Sequence, residues 1–248
     1  MFTVEERDRV RRRLQEIARS DKRLVAGALV GSTAGEGDRW SDIDLTFAIA
    51  EHASVSEVLD DWTTRLQNEF GGMKLCDLPV MSTIYRVFLF PGNLQVDLSL
   101  TPRAEFGALG PKFALFFGSA VKRDPPRPPP ASHLFGFAVL CILRARVCIE
   151  RGRLWEAEYL TSLARDQILT LACLRRGLNT SYGKGFDDLP QEILEPFKGA
   201  LVGSLERAQL LEALRKTIDG LLSNAQGVEN FGARLEEQMH ELKSDTLV

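Results

Sequence analysis

The stretch Gly31-Ser32-Thr33-Ala34-Gly35-Glu36-Gly37-Asp38-Arg39-Trp40-Ser41-Asp42-Ile43-Asp44-Leu45 decides how this chain is read, because strand-like segments flank it on both sides. Leu24 to Val30 is a short apolar run that ends in the Gly-Ser pair. From Asp42 to Ala50, the residues Ile43, Leu45, Phe47 and Ile49 fall on alternate positions. Side chains at i and i+2 of a strand share a face, so Asp42 and Asp44 leave the sheet together, opposite the apolar set. Two carboxylates in one small volume repel each other unless a cation neutralises them. A hard divalent ion such as Mg²⁺ suits them, since it takes oxygen ligands and is commonly held by one or two carboxylates plus substrate phosphates.

A third carboxylate follows. In Leu94 to Leu100 the apolar Val96, Leu98 and Leu100 alternate with Gln95, Asp97 and Ser99, which puts Asp97 on the polar face of its strand. Thr83 to Phe90 is β-rich and Pro91-Gly92-Asn93 is a turn, so the two segments form a hairpin. If the Asp97 strand lies beside the Asp42/Asp44 strand, all three acids converge. Two metals roughly 3.5–4 Å apart can then clamp the attacking and leaving oxygens of a phosphoryl displacement. At the Gly31-Ser32 turn, glycine allows close backbone approach, while the hydroxyl and free N–H groups can bind phosphate oxygens. Gly35 and Gly37 keep the connection to Asp42 pliable.

Gly-Ser, then nine residues, then Asp-Ile-Asp, then a later lone Asp on an apolar strand resembles the nucleotidyltransferase superfamily of the DNA polymerase beta type. More narrowly, it resembles the bacterial antibiotic nucleotidyltransferases, among them aminoglycoside adenylyltransferases, over about residues 24 to 100. The resemblance implies that Asp42, Asp44 and Asp97 bind Mg²⁺ and that Gly31 and Ser32 hold the nucleoside triphosphate. It further implies transfer of AMP from ATP to a hydroxyl of a small molecule, with release of pyrophosphate. A second Gly-Ser, Gly118-Ser119, has no acidic pair after it and reads as a turn.

The 248 residues suffice for one large domain or two modest ones, with 44% hydrophobic and 26% charged residues. A formal charge of −3 gives no electrostatic reason to expect sequence-independent nucleic-acid binding. Cys76, Cys141, Cys148 and Cys173 show no metal spacing and read as free thiols, the last three in apolar helical runs. The charged start MFTVEERDRVRRR and the lack of an apolar run of spanning length lead us to expect a cytoplasmic protein with no membrane partner.

Residues 3 to 19 read as a helix through Val10, Leu14 and Ile17, with Arg11, Arg12 and Arg13 on a solvated face. Ser54-Val55-Ser56-Glu57 has the form of a capping box. It opens a helix that presents Val58, Leu59, Trp62 and Leu66 and stops at Gly71-Gly72. Thr101-Pro102 is expected to break the Asp97 strand. From Asp124 to Pro130, five prolines in six positions favour a stiff polyproline II spacer. Beyond it helical patterns cover Leu134 to Glu150, Leu154 to Leu178, Gln191 to Val202, Ser204 to Asn224 and Val228 to Lys243. The expectation is an α+β chain: a nucleotidyltransferase domain over 1–124, with a small mixed sheet of two to three strands and flanking helices. A linker over 125–131 and an all-α helical bundle over 132–248, which binds the acceptor, complete it.

Between two of these helices lies Asn179 to Pro190, where Lys184 between two glycines can reach an anion and Tyr182 can stack on a base. A lysine loop after a helix of the form Arg-Asp-x-x-Leu-Thr-Leu, here Arg165 to Leu171, occurs in aminoglycoside adenylyltransferases, where the lysine contacts the triphosphate. The resemblance therefore gives Lys184 a phosphate role. A base must take the acceptor's proton. Asp97 is one candidate, and Asp166, Glu156 and Glu158 are others by location. A cationic aminoglycoside would favour an acidic cleft. Two alternatives remain open: a regulatory or antitoxin-like enzyme that adenylylates protein side chains, and an ATP sensor without chemistry.

Overall fold

The computed structural model describes residues 1–35, 37–225 and 232–244. They fall into two compact units, Met1–Pro126 and Arg127–Val248. The first unit opens with α1 (Val4–Ser20), whose Thr3 side chain and Glu6 cap each other's backbone N–H groups. Then come β1 (Leu24–Val30), a short 3₁₀ turn (Gly31–Ala34), β2 (Ile43–Ile49) and α2 (Val55–Phe70). Ser54 accepts from Glu57 N at 3.4 Å to start α2. Gly71, at φ +66°, ends it in the left-handed conformation that glycine adopts without strain. The strands β3 (Met73–Val80), β4 (Thr83–Phe90), β5 (Leu94–Pro102) and β6 (Phe113–Phe117) follow.

Together these strands form one mixed sheet in the order β3-β4-β5-β2-β1-β6, in which only β2 and β5 run parallel. A parallel pair needs a crossover, which α2 and the β3–β4 hairpin supply. Both helices lie on one face. Leu14 and Ile17 of α1 and Val58, Trp62 and Leu66 of α2 pack there against Ile43, Leu45, Phe47, Val96, Leu98 and Leu100. On the other face Ala26, Ala28 and Ala48 are covered by Phe106.

Six strands exceed the two to three expected. Neither β3 nor β6 alternates in sequence: β3 contains Pro79 and is exposed at every residue, and β6 is apolar throughout. Nor does Thr101-Pro102 break β5, which continues to Pro102 opposite Ile49 of β2. The β4–β5 pairing stops at Leu100, so Pro102 lies where β5 is paired on one side only and the missing N–H costs no bond to β4. Gly118, at φ +75°, ends β6 against Val25 and Ala26. Arg13 pairs with Glu16 and Glu69.

No regular structure spans Ser119–Pro130. The second unit is helical: α3 (Ala131–Glu150), α4 (Leu154–Arg175), α5 (Gln191–Lys198), α6 (Arg207–Ser223) and α7 (Gly232–Glu241). Phe135 and Ile142 of α3, Ile168 and Leu171 of α4, and Leu210, Leu214 and Leu221 of α6 share one core, joined by Met239 of α7. Val228 and Phe231, expected on the last helix, lie outside the described residues. One expectation is corrected: α3 is long and apolar enough to match a membrane-crossing helix by length and composition, with mean hydropathy 1.6. Arg144 and Arg146 interrupt its apolar run in sequence, and 56% of the apolar window is buried in the structure. Cys141, Cys148 and Cys173 are buried free thiols, whereas Cys76 is exposed.

Candidate metal centre

Asp42, Asp44 and Asp97 each offer a carboxylate oxygen, and these atoms all lie within 4.8 Å of one another. Topology places them there. In the parallel β2–β5 pair Asp44 is registered with Asp97, and directly paired residues share a face. Asp42, two residues before Asp44, points to the same side. All three are half-buried. Burial pushes the Asp97 carboxyl above the usual aspartate range. The Gln95 amide, which donates to both its oxygens at 3.1 Å, opposes that push, and the like charge of Asp42 adds to it. An all-oxygen, all-carboxylate donor set at this spacing fits a hard divalent cation.

The Gly31-Ser32 turn is built into the same cluster. Gly31 has φ +62°, and a Cβ there would lie 2.5 Å from Oδ2 of Asp44, so no larger residue fits without moving the carboxylate. Ser32 Oγ donates to Oδ1 of Asp42 at 3.4 Å. Thr33, 3% exposed, accepts from the Asp44 N–H at 3.0 Å and donates to the Asp42 carbonyl at 3.5 Å. Its hydroxyl fastens the phosphate-type turn to the acid-bearing strand. Sequence reading passed over Thr33.

It also passed over Arg7. This side chain, 4% exposed, extends from α1 and donates to the carbonyl of Asp38 and, at 3.5 Å, to that of Ser41. Asp38 N–H donates to Ser41 Oγ at 2.9 Å, and Ser41 Oγ donates to Oδ1 of Asp38 at 3.1 Å. The loop that leads into Asp42 is thereby closed on itself and held from below. A signal was present: Arg7, Val10, Leu14 and Ile17 share helical spacing, which puts a charged residue on the stripe that faces the core.

Asp166 and Lys184 belong to the second unit. Asp166, half-buried on α4, accepts from Arg165 at 2.8 Å. Lys184 is exposed, and its loop is held by its own N–H donating to the Ser181 carbonyl at 3.1 Å. Tyr182 is 98% exposed at φ 54°. Of the other acids considered, Glu156 is paired with Arg153 at 2.8 Å, and Glu158 accepts from Ser162 at 2.8 Å.

No family profile and no curated protein matches the chain. Among solved structures it is similar to an aminoglycoside 6-adenyltransferase from Bacillus subtilis, at 14% identity and a TM-score of 0.40 over 98% of this chain and 99% of that one. It is also similar to a nucleotidyltransferase-like protein from Exiguobacterium sibiricum 255-15, at 12% identity and a TM-score of 0.41 over 97% of this chain and 81% of that one.

Proposed function

We propose that this chain is an Mg²⁺-dependent nucleotidyltransferase that moves AMP from ATP to a hydroxyl of a small molecule. The observation that carries the reading is three carboxylates within 4.8 Å of one another beside a glycine whose missing side chain leaves room for Asp44. In the reaction a bond forms between the acceptor oxygen and the α-phosphorus. The bond from that phosphorus to the bridging oxygen breaks, and pyrophosphate leaves. Asp42, Asp44 and Asp97 would hold Mg²⁺, which when bound supplies positive charge against the phosphates. Gly31 and Ser32 offer backbone and hydroxyl groups to phosphate oxygens. Asp97, whose burial raises its proton affinity, suits the role of proton acceptor for the hydroxyl. Asp166 as an alternative base and Lys184 as a triphosphate ligand enter the proposal on the sequence motif alone.

The test is transfer of label from α-labelled ATP with Mg²⁺, comparing wild type with Asp44→Asn and identifying the product by mass spectrometry. The reading requires product and pyrophosphate from the wild type and neither from the variant. Equal turnover in both would sink it.

A further inference from the structure

The charged residues of β3 and β4 all lie on one side of the sheet. Register pairs Lys74 with Phe88 and Asp77 with Arg86, and Phe88 is part of the helix-covered core. There Arg86 donates to Asp77 at 2.6 and 2.8 Å, and Lys74 to Asp77 at 2.7 Å. The opposite face is different. Val87 is registered with Asp97, and Asp97 with Asp44, so that face is continuous with the metal centre. On it Tyr85 and Leu89 of β4 are joined by Leu78 and Met73 of β3, with Val80 beyond. No residue of β3 or β4 on this side carries a formal charge.

The β3 residues among them are uncovered: Met73 is 57%, Leu78 51% and Val80 53% exposed, while Tyr85 and Leu89 are half-buried. Neighbouring strands lie about 4.8 Å apart, so the β3 side chains stand roughly 10 Å from the β5 row that carries Asp97. That is the reach of a small molecule with one end at the acids. As the end strand of the sheet, β3 has a free edge, but Lys74, Pro79 and a bulge between Lys74 and Cys76 oppose addition of a peptide strand to it.

We propose that this apolar half-face receives the acceptor. The acceptor is an uncharged small molecule that lays an apolar face on β3 and β4 and presents its hydroxyl toward Asp97. The inference rests on the nucleotidyltransferase reading and narrows it: the surface beside the acids is suited to an apolar partner, and the polycationic acceptor entertained from sequence finds no further carboxylates on β3 or β4 there.

The test is methyl NMR of the full chain, labelled at Met, Leu and Val and titrated with chloramphenicol, a neutral aromatic diol, and separately with kanamycin, a polycation. The neutral probe should shift Leu78, Val80, Val87 and Leu89, and kanamycin should not. Leu78→Asp, at an exposed position, should weaken the neutral probe roughly tenfold, from lost apolar contact. Mn²⁺ and nucleotide affinity should stay unchanged. Shifts elsewhere, no shifts, stronger shifts with kanamycin, an indifferent Leu78→Asp, or label transfer only to protein from a lysate would each overturn the proposal. Loss of the enzyme reading looks different: Mn²⁺·nucleotide binding would then be absent or insensitive to Asp44→Asn, whatever the methyls report.

Discussion

Asp44 and Asp97 are paired residue for residue on neighbouring parallel strands, although a helix and two strands separate them in the chain. Their closeness is therefore a property of the crossover, which sets the two residues side by side through backbone pairing. Asp97→Asn removes one of the mutually repelling charges from a half-buried position where burial already disfavours it. Metal-free protein should melt at the same temperature or slightly higher, while Mn²⁺ affinity measured by EPR should fall by more than the roughly 10- to 100-fold that loss of an outer-shell partner costs. A variant that binds Mn²⁺ as well as wild type would remove Asp97 from the centre.

Gly31→Ala introduces a Cβ at φ +62° that meets Oδ2 of Asp44. Left-handed backbone costs a non-glycine residue about 1–2 kcal/mol, and the displaced carboxylate adds to that. Urea titration should show the stability loss, and Mn²⁺ binding should weaken in parallel. Gly35→Ala, with only the Ser32 carbonyl at 3.9 Å from its added Cβ, serves as the control and should change neither.

Arg7 acts on Asp42 through the loop, by holding the carbonyls of Asp38 and Ser41. Arg7→Met leaves the Asp38 carbonyl without its charged donor, at about 1.5–3 kcal/mol, and removes the longer 3.5 Å contact to the Ser41 carbonyl as well. Lysine restores one point donor in place of a planar fork, so Arg7→Lys should recover part of the stability and part of the Mn²⁺ affinity. If Arg7→Met unfolds the protein, Arg7→Lys still reports. A role confined to folding predicts a Lys variant whose melting temperature drops with metal affinity untouched.

How much of this was legible follows from which elements alternate. Strands half-buried against helices alternate, and β2 and β5 were readable for that reason, as were the acids they carry, whereas β1 was readable as a short apolar run and β4 from its β-forming residues. The strand β3 is exposed on both faces, so no burial pattern marks it, and the apolar half-face beside the acids was invisible without register. Thr33 and Arg7 were missed on other grounds. Their partners are backbone groups of the Asp38–Asp44 segment, and a sequence does not display backbone partners. Pairing of β2 with β5 was foreseeable only as a condition, because Asp-x-Asp and a distant Asp converge only if the two strands are neighbours.

Asp77 holds β3 in place from the side opposite its apolar face, and its charge sets a pH dependence. The Arg86 guanidinium, with help from Lys74, holds the Asp77 carboxyl down at about 2, below its ordinary 3.8. A depressed folded-state value means the contribution is fully present above the ordinary aspartate range and is lost as pH falls from 3.8 toward 2. Because the Asp77 side chain is 32% exposed, solvent screening reduces the gain to about 1 kcal/mol. Asp77→Asn should therefore be less stable than wild type at pH 6, by urea titration, and the gap should close below the ordinary aspartate range. Arg86 itself, 5% exposed, keeps its bonds to Asp60 at 3.0 Å and Thr63 at 2.9 Å, so the variant should still fold. A gap that stays constant down the acid limb would show that the Asp77 charge contributes nothing and that only its shape matters to the β3–β4 hairpin.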